Sequence, residues 1–148
     1  MNYARKYFYS LIDRHMIAAF YRKHIHPAFS VNILYNAVFG QRKFPPVRLM
    51  YRIRKEVDPS LWFYDETEPM PEKYDFSDTP DLWDWKRSVN YHRLINEYNL
   101  KEFCRQNGLV YTTVYSMLYS GKSITAQQIM KFRHVLRPAG WFVYVEEE

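Results

Sequence analysis

The side chains that most often do chemistry are scarce and scattered in this sequence. His24 and His26 stand two apart, a spacing a metal ion can use, but a stable site needs further ligands and none follows at a suitable distance. Cys104 is the single cysteine, so no internal disulfide can form and the thiol reads as buried and inert, in a reducing compartment. Asp81 and Asp84 lie either side of Trp83 with no base or metal partner. No phosphate-binding loop, dinucleotide fingerprint, HExxH or GxSxG appears. The expectation is a protein that is not an enzyme and holds no cofactor or metal.

Charge is more informative than catalytic motifs. Residues 1–57 carry 11 Lys/Arg against 2 Asp/Glu, residues 58–85 carry Lys73 against 9 acids, and residues 86–145 return to 9 against 2. Two basic blocks therefore flank an acidic connector, a pattern that fits a polyanionic partner. No apolar run approaches the roughly 20 residues of a membrane span, and the N-terminus lacks the apolar core of a secretory signal. The expectation is a soluble cytoplasmic protein with no membrane contact. With 148 residues, 47 % of them hydrophobic and 14 of them Tyr, it has enough apolar material for one ordinary domain or two very small ones.

Positioning elements emerge from a repeat. "VDPSLWFY" at 57–64 and "LRPAGWFVY" at 136–144 both place Trp-Phe three residues after a Pro. Around this anchor the basic blocks align in one order, with Leu11-Ile12 on Leu94-Ile95, Phe20 on Phe103, Arg22 on Arg105, Val31 on Val114 and Gly40 on Gly121. Arg54 then meets Arg133, and Pro59 meets Pro138. The offset falls from 83 to 79, which places four extra residues of the first copy around the end of its third element. Val47, Met50, Ile53 and Val57 match Ala126, Ile129, Phe132 and Leu136 at spacings of one helix face. The chain is read as an internal duplication.

In the second copy Leu94 and Ile95 face inward from a short first helix. Asn99 is placed to cap the next helix and Gly108 to end it in a left-handed turn. Val114, Met117 and Leu118 mark the buried side of a third helix that Gly121 stops. Thr125-x-x-Gln128 is a capping box opening a fourth, which runs to Pro138. "GWFVYVE" reads as a short extended segment. Residues 1–64 and 88–148 form the two units; residues 65–87, with Pro69, Pro71 and Pro80, form an acidic linker whose Trp83 and Trp85 pack on folded units.

Phe103, Cys104, Gly108, Leu109, Val114 and Met117 carry a further resemblance. Their order and spacing are similar to the helix-turn-helix of Cro/C1-type (XRE-like) repressors, over about 45 residues of the second copy. A small residue lets two helices approach, Gly makes the turn, and the later apolar pair pins the third helix. The resemblance implies an all-α protein of two tandem four-helix helix-turn-helix units. Each is followed by an extended Trp-Phe segment, the two pairing as a small β-ribbon. The first copy departs from the pattern, with Tyr21 at the small position, Ile25 at the Gly and Pro27 at the start of the third helix.

In such a unit the third helix enters the major groove. The resemblance thus points to Tyr111, Thr112, Tyr115 and Ser116 as DNA contacts, with Lys122 on the backbone. The first copy offers Ala28 and Asn32, then Gln41, Arg42 and Lys43 beyond the helix; Phe29 reads as core. Double-stranded DNA is the expected partner, gripped by two third helices in successive grooves about 34 Å apart, in a transcriptional regulator. Neither third helix contains Arg or Lys, which keeps open a protein-binding module whose partner is another protein or a second copy of this chain. Gathering of Arg42, Lys43, Lys122, Arg105 and Lys101 around the third helices favours DNA; scatter favours the module.

Overall fold

Residues 1–11, 14–40 and 44–146 are described by a computed structural model, with side chains from 16 onward in the second helix. They are helical and contain no sheet, only two isolated β-bridges. The expected all-α class holds at that level. No helix among them is long and apolar enough to cross a membrane. The chain divides into two compact units, Met1–Trp83 and Asp84–Glu148.

The first unit runs α1 (Tyr3–Ser10), α2 (Arg14–His24), α3 (Val31–Phe39), α4 (Val47–Arg52) and a one-turn 3-10 helix, Pro59–Trp62. The second runs α5 (Val89–His92, continued by a π-helical turn Arg93–Glu97), α6 (Leu100–Gln106), α7 (Tyr111–Tyr119), α8 (Ala126–Lys131) and a 3-10 turn, Pro138–Trp141. Local chemistry starts these helices. Asn2, Ser88 and Asn99 each accept a backbone N–H from the first turn of α1, α5 and α6, and Thr125 with Gln128 closes the capping box of α8.

The Trp-Phe segments differ from the extended form expected of them. Trp62 and Trp141 close 3-10 turns begun by Pro59 and Pro138, because Pro presets a helical φ and loses no bonded N–H at a first position. Extended pairing starts only afterwards. The N–H of Tyr3 donates to the Tyr64 carbonyl at 3.1 Å, and that of Val89 to the Val143 carbonyl at 2.9 Å. The bridges are Asn2 with Asp65 and Ser88 with Tyr144, so among the described residues two single bridges stand in place of the β-ribbon.

Burial corrects the register of the repeat. Phe8 and Leu94 hold the same central position, and Leu34, Ala37 and Val38 match Val114, Met117 and Leu118. Leu11, expected opposite Leu94, is the half-buried C-cap of α1, and Val31 opens α3 as Tyr111 opens α7. The slip is three residues, which leaves a residue on the same helix face and is invisible to periodicity. The extra residues of the first copy fall chiefly in α2, 11 residues against 7 for α6, and in the turn after it. From Val47/Ala126 to Phe63/Phe142 the expected register agrees with burial at every apolar match.

Residues 65–83 of the acidic segment belong to the first unit. Arg54 at the end of α4 is buried, and its guanidinium donates to the carbonyls of Tyr51 at 2.9 Å, Thr79 at 2.8 Å and Pro80 at 3.1 Å, to the Thr79 hydroxyl, and to Asp81 at 3.1 Å. Tyr51 adds a hydroxyl bond to the Pro80 carbonyl and a ring contact with Trp83 at 5.2 Å. Phe76 is buried beneath the same strap. The Arg54 hydrogen bond, and then the charges of Arg54, Lys55 and Arg52, hold the Asp81 carboxyl below its usual range. In the second unit Asp84 caps the turn Trp85–Arg87, and Trp85 packs edge-on against Tyr91 at 4.9 Å.

Because one guanidinium satisfies several carbonyls, its loss strands them. Arg54→Ala should lower stability by about 1–3 kcal/mol in urea unfolding of the full chain followed by Trp fluorescence. Asp81→Asn, removing a carboxylate that stands almost wholly in water, should leave the midpoint nearly unchanged.

Candidate nucleic-acid interface

In the second unit α6 and α7 pack on each other through the turn 107–110. Gly108 takes a φ of 68°, a conformation other residues reach only at a cost, and Leu109 N–H then closes on the Cys104 carbonyl at 2.8 Å. Cys104 is buried between the helices, and that burial pushes its thiol pKa up, as suits an inert packing residue. Val114, Met117 and Leu118 pin α7 to the core. The opposite face is left in water. It carries Thr112, Thr113, Tyr115, Ser116 and Tyr119, with Tyr111 half-buried at the start.

The tyrosines form a ladder along α7, with ring centroids 5.8 Å apart for Tyr111–Tyr115 and 4.7 Å for Tyr115–Tyr119. Beside it Thr112, Thr113, Ser116, Ser120 and Gln128 line a shallow open groove toward α8. Lys101 sets its ammonium 5.5 Å from the Tyr111 ring centre, and exposed Lys122 follows Gly121, whose φ is 80°. Arg105 instead turns back on Glu102, whose carboxyl it holds below the usual range. Of the cations expected around the third helices, Lys101 and Lys122 flank α7, Arg105 is bound by its neighbour, and Arg42 and Lys43 lie outside the described residues.

The first unit presents less. Asn32 is exposed on α3, next to half-buried Tyr35 and exposed Asn36. Ala28, expected at the head of the helix, lies in the turn before it, because α3 begins only at Val31. Pro27 likewise sits in that turn, four residues before α3 begins, and disfavours helical backbone at His26. Gln41 is outside the described residues. The turn holds together without Gly: Ile25 is fully buried, the Tyr21 carbonyl accepts from Ile25 and His26 N–H, and the Tyr21 hydroxyl donates to the Phe29 carbonyl at 2.6 Å. Phe29 is half-buried.

Tyr111, Thr112, Tyr115 and Ser116 lie on α7, with Lys122 three residues past its end, and Thr113, Tyr119 and Ser120, which sequence reasoning missed, share the exposed surface. Lys101, expected only as one of the cations around the third helices, stands over the Tyr111 ring. The i, i+4 spacing from Tyr115 was a usable sign for Tyr119. His24 and His26 separate: the first meets Glu56 at 3.4 Å and the Phe20 ring, the second meets Tyr21. Among the described residues no three His, Cys, Asp or Glu side chains gather as a metal site. No protein-family model, curated protein or solved structure matches the chain.

The turn supplies a direct test of how α7 is held. A Cβ on Gly108 would meet nothing within 4 Å, so the cost of Gly108→Ala is conformational alone. It should amount to about 1–2 kcal/mol, seen as a lower thermal midpoint, with Gly108→Asn costing less.

Proposed function

We propose that this protein binds double-stranded DNA, with its two units acting as helix-turn-helix modules of the Cro/C1 type and the second making the principal contact. The observation that carries the reading is the α6–turn–α7 arrangement. Two short helices meet at a small buried residue and a left-handed Gly, and the second exposes one full face, with Lys101 and Lys122 at its two ends. Tyr111, Thr112, Tyr115 and Ser116 face the groove in this reading, and Lys122 faces the phosphates. In the first unit Asn32 is the candidate base contact, with Gln41, Arg42 and Lys43 as candidates beyond α3. Ala28 is not carried forward, since it precedes the helix. A role in transcription regulation follows by analogy of architecture, with no cofactor and no chemical step.

A second reading is favoured by one feature. α3 and α7 have no Lys or Arg, and α7 exposes Tyr115, Tyr119 and its N-cap Val110. Such a surface suits a protein partner or a second copy of this chain.

Anisotropy titration of random-sequence duplex DNA at low and moderate salt separates the two. The DNA reading expects affinity to fall steeply with salt, and Lys122→Ala to weaken binding to all sequences and reduce the log–log salt slope by roughly 1. A folded protein that binds no duplex at low salt supports the protein-partner reading instead.

A further inference from the structure

We propose that the exposed face of α7 reads the C5-methyl group of thymine, so that the preferred duplex is thymine-rich. This rests on the DNA-binding reading above and names the chemistry by which that helix selects its site. The argument starts from what α7 lacks. Its sequence YTTVYSMLY has no Arg or Lys to fork onto guanine and no Asn or Gln to fork onto adenine, and it has no carboxylate to accept from cytosine. Gln128 lines the neighbouring groove, but its side-chain carbonyl is already committed to the Thr125 N–H at 2.9 Å.

What remains is ring edge, methyl and hydroxyl. Tyr115 and Tyr119 are 48 % and 53 % exposed, their centroids 4.7 Å apart, and exposed Thr112, three and seven residues before them, shares that side of the helix. The thymine methyl is the one apolar group that a natural base pair places in the major groove, so it alone rewards burial against such a surface. Single hydroxyl bonds from Thr112 and Ser116 accept several bases and add little discrimination. The charges fit the same occupant: Lys101 and Lys122 stand at the two ends of α7, and Glu102, next to Lys101 in the sequence, is paired with Arg105.

The test uses one short A·T-rich duplex made with thymine and again with uracil, which differs only in the missing methyl. A G·C duplex is prepared with cytosine and with 5-methylcytosine. Wild type should bind the uracil duplex about fourfold more weakly for each methyl it covers, and should bind the methylated G·C duplex more tightly than the plain one. Tyr115→Ala should remove most of both differences; its half-exposed ring makes an unchanged thermal midpoint the expected control. Equal, salt-dependent affinity for thymine and uracil duplexes overturns the methyl inference and leaves DNA binding standing. Absence of binding to every duplex at low salt overturns both. Tighter binding to the separated strands than to the duplex also overturns it, assigning the tyrosines to base stacking.

Discussion

Each unit depends on one indole. Trp62 and Trp141 are essentially out of contact with water, Trp62 beside Phe8 of α1 and Trp141 beside Trp85. Each comes from the last short turn of its unit and lies against the opening element, so it closes the ends of the unit on each other. The indole N–H groups of both lack a hydrogen-bond partner among the described atoms. Leaving such a donor buried costs about 1–3 kcal/mol, and burying the largest apolar side chain contributes at least as much in return. Ring burial therefore wins in both units.

Some differences between the units are coupled. Burial aligns Ala4 of α1 with Asn90 of α5, and the 3-10 turns align Leu61 with Gly140. Where the first helix carries small Ala4, the turn carries Leu. Where it carries Asn90, the turn must be Gly, since a Cβ at 140 would stand 2.2 Å from the Asn90 Oδ1. The buried amide is kept satisfied by donating to the Arg137 carbonyl at 2.8 Å. The two units thus share a frame while solving the contact of helix and closing turn by different side chains, which a one-position comparison does not detect.

The same independence appears at the turns before α3 and α7. One is made by Gly108 and a buried thiol, the other by a buried Ile25 and the Tyr21 hydroxyl spanning the turn. Both deliver a third helix pinned by three apolar residues. The exposed faces have diverged further: tyrosines and hydroxyls with lysines at either end on α7, two Asn residues on α3.

Much of this was legible in the residues themselves. Helix number and order, the caps at Asn99 and Thr125, and the turns at Gly108 and Gly121 all follow from local rules, in which one or two side chains act on neighbouring backbone. The buried side of α7 was legible too, through spacing, and with it which residues of that helix are left facing water. Register was not, because a three-residue slip keeps every apolar residue on its helix face, and only contact between helices distinguishes Phe8 from Leu11 as the partner of Leu94. Nor was the destination of the acidic segment: a charged, Pro-bearing stretch reads as solvated until a buried guanidinium from elsewhere collects its carbonyls. Tertiary packing decided these points because burial of a group depends on residues distant in the chain, whereas a cap or a turn depends only on its own.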